Sequence, residues 1–82
     1  MDQASRTPKQ LGAELRRYRK RRGLTQAGLG SRIEKRQATI SSLESIGNGT
    51  LETLFAVLSA LDLELCIRSR IKSGSAQLEG IF

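Results

Sequence analysis

The stretch RQATISSLES, residues 36–45, carries Gln37, Ala38, Thr39, Ser41 and Ser42 around two apolar anchors, Ile40 and Leu43. These are side chains for recognition, not for covalent chemistry. A glutamine amide can make two hydrogen bonds to adenine, a small methyl can meet the thymine methyl, and a hydroxyl can reach bases or phosphates. A good two-bond contact is worth roughly 1–3 kcal/mol of discrimination between bases. The same residue types also suit an ordinary polar helix surface, and by themselves they leave both readings open.

Chemistry of other kinds finds little support. The chain has no histidine, which removes the commonest general base and metal ligand. Cys66 is the single cysteine, so neither an internal disulfide nor a cysteine-rich metal site can form. The acids Asp2, Glu14, Glu34, Glu44, Glu52, Asp62, Glu64 and Glu79 show no spacing that specifies a paired-carboxylate site, and no phosphate-loop motif occurs among the eight glycines. The expectation is a protein that is not an enzyme and has no cofactor and no metal site.

The elements that must hold the polar segment follow from caps and periodicity. Thr7 can cap a first helix, with Pro8 at its first position, Gln10 at the capping-box position and Gly23 to end it. Leu11, Leu15 and Tyr18 mark its buried stripe. Thr25 caps a shorter segment, TQAGLGSRI, in which Leu29 and Ile33 share a face. Gly28 and Gly30 each weaken that helix by about 1 kcal/mol relative to alanine, and for Gly30 the compensation would be close approach of another element. A third helix is expected over 37–45, with Ile40 and Leu43 inward, ended by GNG at 47–49. Thr50 then starts a fourth, with Leu51, Leu54, Phe55, Leu58 and Leu61 as a broad apolar face.

The period next changes to two. Leu63, Leu65 and Ile67 alternate with Glu64, Cys66 and Arg68, as in a strand. Nothing else in the chain reads as a strand, so its mate is expected from a second copy, in a ribbon across a homodimer. The chain thus divides into a helical DNA-binding domain over 7–62, a dimerisation strand over 63–71 and a tail over 72–82.

Charge is uneven along the 82 residues, whose net charge is +6. Residues 1–36 hold eleven Lys/Arg against three acids, whereas 37–82 hold three against five. The first part suits a polyanion, with nucleic acid the leading candidate. Arg16, Lys35 and Arg36 are candidate phosphate ligands. Gln26 joins them, since it lies just inside a helix start beside free backbone amides. No apolar run approaches the roughly twenty residues that span a bilayer, and MDQASRTPKQ lacks a secretory core, so the expected location is cytoplasmic.

Two short helices joined by a tight turn make a helix-turn-helix, whose second member enters the DNA major groove. GLTQAGLGSRIEKRQATISSLES resembles this element in the Cro/C1 (Xre) repressor family, through LTQ, TIS, the apolar spacing and the following glutamate. The resemblance covers roughly 11–63, and with the alternating segment it narrows to HipB-type antitoxins. It implies a four- to five-helix, lambda-repressor-like domain whose C-terminal β-strand pairs across a dimer. It also implies that Gln26 touches phosphate, that Gln37, Ala38 and Ser42 face the groove, and that Arg19 and Glu44 form a structural ion pair. The implied partners are double-stranded operator DNA and a HipA-like serine/threonine kinase toxin, with Phe82 similar to a terminal aromatic that docks on the toxin. A stand-alone repressor without a toxin is the alternative. The chain departs from the family pattern at the inter-helix turn, where Glu34-Lys35 replaces Gly-hydrophobic, at Arg36, where a Ser or Thr cap is usual, and at Gly30, where alanine is usual.

Overall fold

In a computed structural model that describes residues 4–70, four helices surround one core: α1 (Pro8–Arg21), α2 (Gln26–Arg32), α3 (Gln37–Ile46) and α4 (Leu51–Ala60). Three of them start on a threonine whose side chain accepts an amide of the first turn: Thr7 from Gln10, Thr25 from Gly28 and Thr50 from Thr53. The Gln10 side chain reaches one residue past the cap and accepts from the Arg6 amide at 2.6 Å. Leu15, Leu29, Ile40, Leu43, Leu54, Val57, Leu58 and Leu61 form the buried cluster, flanked by Leu11, Tyr18, Leu24, Ile33, Ala60 and Leu63.

Helices α1, α2 and α4 close in the same way. The residue after each cap takes a left-handed conformation, and the next amide reaches back five residues: Leu24 to Arg19, Lys35 to Gly30 and Leu63 to Leu58. Gly23 fills the left-handed position after α1, but Glu34 and Asp62 fill it after α2 and α4, each at φ 58°. A side chain there costs roughly 1–2 kcal/mol relative to glycine.

Gly12 and Gly30 are fixed by close approach. A Cβ on Gly12 would collide with the Leu43 carbonyl oxygen and stand 2.8 Å from that of Glu44, so α1 crosses α3 with its backbone almost touching. A Cβ on Gly30 would lie 2.5 Å from the Lys35 carbonyl oxygen, so the turn between α2 and α3 folds onto bare backbone.

The buried face of α4 differs from the one its apolar residues outline. Thr53, Leu54, Val57 and Leu58 are buried, while Leu51 and Phe55 remain 72% and 52% exposed. A ten-residue helix against a single core can bury only one side, and its apolar stripe is wider than that side. Thr53 can join the core because its backbone amide and hydroxyl both bond to the Thr50 hydroxyl.

Among the described residues there is no strand. Leu63 belongs to the close of α4 and packs on the core, while Leu65 and Ile67 are 44% and 95% exposed in backbone that pairs with no other strand among the described residues. Isolation is sufficient reason, since a strand requires a second strand to satisfy its amides and carbonyls. The end of the expected strand segment and the tail over 72–82, with Phe82, lie outside the described residues.

Candidate nucleic-acid interface

Helix α3 is held by Ile40 and Leu43, 0% and 5% exposed, and by the buried Glu44. Its opposite side faces solvent. Gln37, Ala38 and Ser45 are exposed, and Thr39, Ser41 and Ser42 are half-buried along the flanks. Ser45 is absent from the residues singled out in the sequence, although its spacing of four from Ser41 carries the signal. Its hydroxyl donates to the Ser41 carbonyl at 2.8 Å, which turns it along the helix. No side chain in this row exceeds glutamine in length, so a helix presented this way fits the floor of a major groove without charged stems to hold it off.

The start of α3 has a different character. Arg36 stands at the cap position in extended conformation and its side chain caps nothing. Lys35 and Arg36 are both exposed beside the helix start. Uncapped amides with two cations alongside form an environment suited to an oxyanion such as a phosphate. Glu34 lies exposed in the same turn as the opposing charge.

Arg16 from α1, Gln26 from α2, and Ser41 and Ser45 from α3 line one open groove of about 310 Å³, with Ala13 and Glu44 also along it. Three helices therefore bring a guanidinium, an amide and two hydroxyls to one concavity. The other arginines near the end of α1 lie elsewhere. Arg19 is buried, Arg22 donates to the Leu61 carbonyl at 3.0 Å across α1 and α4, Arg17 pairs with Glu14 at 3.2 Å, and Arg21 lies 5.3 Å from the centre of the Tyr18 ring.

Arg19 and Glu44 join α1 to α3 beneath the groove, their side chains 7% and 2% exposed. Arg19 Nε donates to Glu44 Oε2 at 2.6 Å, Nη2 to Oε1 at 3.0 Å, and Nη1 to the Leu24 carbonyl at 2.7 Å. Gln26 Nε2 donates to Glu44 Oε1 at 3.2 Å, and Gln37 Nε2 to Gln26 Oε1 at 3.5 Å. A continuous polar path therefore runs from the buried pair to the first residue of α3. Among the described residues, no buried side-chain polar atom lacks a partner, no three acidic or sulfur side chains gather as a metal site, and no helix is long and apolar enough to cross a membrane.

A model of the helix-turn-helix domain family matches residues 10–63. The antitoxin HipB of Escherichia coli (strain K12) is 37% identical over 62 residues, covering 74% of this chain and 70% of that protein. Among solved structures, a variant HipB in an O2 20mer complex superposes with a TM-score of 0.78 at 36% identity, covering 84% of this chain and 97% of the other. A HipA–HipB–O2–O3 complex superposes with a TM-score of 0.75 at 35% identity, covering 83% and 97%.

Proposed function

Because the chain belongs to the helix-turn-helix family of HipB-type antitoxins, we propose that it is a sequence-specific repressor that binds operator DNA and a HipA-like serine/threonine kinase toxin, neutralising the toxin and silencing its own operon. The observation that carries this reading is the mounting of α3: Gln37 and Ala38 are exposed to solvent while Ile40 and Leu43 anchor the helix from behind. Gln37, Ala38, Thr39, Ser41 and Ser42 read base edges. Gln26, Arg16, Lys35 and Arg36 hold phosphates and fix the register. Relatives solved with 20mers and with HipA support the same pair of partners.

Repression of this kind requires no bond-making. Two copies join through the segment containing Leu63, Leu65 and Ile67, whose alternation suits a ribbon shared across a two-fold axis. Such a dimer prefers a near-palindromic site with half-site centres about 34 Å apart, and its presence on a promoter excludes polymerase. Phe82 anchors the tail on the toxin, and the site of action is the cytoplasm.

A promoter reporter with co-purification tests the reading. The region upstream of this reading frame is fused to a reporter, and the chain is co-expressed with a HipA-like kinase. Repression of the reporter and recovery of a stable complex are expected. An unrepressed promoter, or a kinase that elutes alone, contradicts the reading.

A further inference from the structure

We propose that Asn48 modifies itself: the Gly49 backbone nitrogen attacks its side-chain carboxamide, and the residue ages to a mixture of aspartate and isoaspartate that loosens the start of α4. Asn48 is the only asparagine in the chain, and a glycine follows it. An asparagine before glycine is the pairing most open to this attack, because the next residue carries no side chain to shield its amide nitrogen.

The GNG turn between α3 and α4 presents both groups. Gly47 is required where it stands, since its φ is 72° and a Cβ there would collide with the Pro8 backbone. Gly49 has no such reason. Its φ is not positive, and a Cβ would meet only Leu43 Cδ1 at 3.5 Å, an ordinary contact. Neither strain nor crowding therefore calls for glycine at 49. Asn48 and Gly49 are both exposed. The Asn48 backbone amide donates to the Ser42 carbonyl at 3.3 Å and so closes α3. Among the described residues, neither the Asn48 side chain nor the Gly49 amide has a hydrogen-bond partner.

The steps balance with water as the only co-reactant. The Gly49 nitrogen gives its proton to solvent base and bonds the Asn48 side-chain carbonyl carbon, the carboxamide nitrogen leaves as ammonia, and a succinimide ring joins the two residues. Water then opens one of the two ring carbonyls. Opening at the side-chain carbonyl gives aspartate in an ordinary backbone. Opening at the main-chain carbonyl gives isoaspartate, whose chain runs through the former side chain with one extra carbon. The two products act differently on α4. A carboxylate two residues before the Thr50 cap stands beside the positive end of the helix and is tolerated. Isoaspartate displaces Gly49 and Thr50 relative to α3, so the Thr50 hydroxyl loses the Thr53 amide that it accepts at 3.1 Å. Every copy thus carries a change that starts at synthesis and ends with α4 less firmly held.

Incubation of the full chain in warm, mildly alkaline buffer tests this, beside a short peptide of residues 45–52 as the unhindered reference. Peptide mass spectrometry reads the exchange of NH2 for OH at Asn48, and an isoaspartate-specific methyltransferase counts the rearranged product. Conversion within about tenfold of the peptide's rate is expected. Gly49→Ala, which the turn accommodates, should melt with the parent and slow the conversion on the order of tenfold or more. The isoaspartate fraction, separated by chromatography, should melt about 4–8 °C below the parent, the shift that accompanies loss of one helix cap, while Asn48→Asp melts with the parent. An Asn48 still intact once the peptide has fully converted, or a Gly49→Ala chain that converts as fast as the parent, overturns the proposal. An isoaspartate fraction that melts with the parent overturns the link to α4.

Discussion

Replacing Glu34 with glycine isolates the energetic cost of the turn that aims α3. Glu34 sits at φ 58°, and the turn it forms carries the Lys35-to-Gly30 hydrogen bond of 2.8 Å. A side chain in this conformation costs roughly 1–2 kcal/mol, of which glycine returns roughly 0.5–1 kcal/mol through its greater freedom when unfolded. The net gain for Glu34→Gly is about 0.5–1 kcal/mol. At about 4–8 °C per kcal/mol for a domain of this size, the melting temperature should rise by about 2–8 °C. Circular dichroism at one fixed protein concentration reads this, since dimerisation would make the midpoint depend on concentration. Glu34→Ala is the control, because alanine keeps a Cβ and hence the strain, and should stay within about 0.5 kcal/mol of the parent. An equal rise for alanine and glycine would refute the conformational argument and place the effect in the carboxylate. No rise for either would show that the turn is not strained at this position.

Four further outcomes are expected. Gly12→Ala forces a methyl group into the carbonyls of Leu43 and Glu44 and should destabilise by about 1–3 kcal/mol in urea denaturation, with parental stability contradicting the close crossing of α1 and α3. Arg22→Met should lower stability by about 0.5–1.5 kcal/mol by removing the bond to Leu61 and leave DNA affinity unchanged. Arg16→Met should do the reverse, weakening specific and random DNA alike and reducing the salt slope by about 0.9 for each phosphate it no longer neutralises. Removing residues 64–82 should convert a dimer to a monomer in sedimentation, and an unchanged mass would reject the shared strand.

Local signals in the sequence reached far into this fold, because short-range chemistry decides its helix ends. Thr7, Thr25 and Thr50 cap where their side chains can reach an amide, and Gly23 and Gly47 close helices at φ 72°. The inward spacing of Ile40 and Leu43 orients α3 without reference to the rest of the chain. Tertiary choices were harder to see. A glycine inside a helix, as at Gly12, signals a close neighbour without saying which. Thr53 is buried because Thr50 satisfies its hydroxyl, which no count of apolar residues reveals. Phe55 looks like core by type, yet lies on the flank that one small core leaves uncovered. The basic residues from Arg16 to Arg22 wrap more than one face of α1, and spacing alone does not say which face meets which neighbour: the fold buries Arg19, turns Arg22 to α4 and brings Arg16 to the groove beside Gln26. The link from Glu44 through Gln26 to Gln37 joins two helices and the pair beneath them, and has no counterpart in local spacing.

The most direct test of sequence reading by α3 compares binding to the chain's own promoter duplex with binding to a shuffled duplex of equal composition, at about 0.15 M salt, where non-specific attraction is partly screened. A preference on the order of a thousandfold or more for the promoter is expected, most of the Gln37 share of which disappears in Gln37→Ala while affinity for the shuffled duplex holds. Equal affinity for the two duplexes would contradict it.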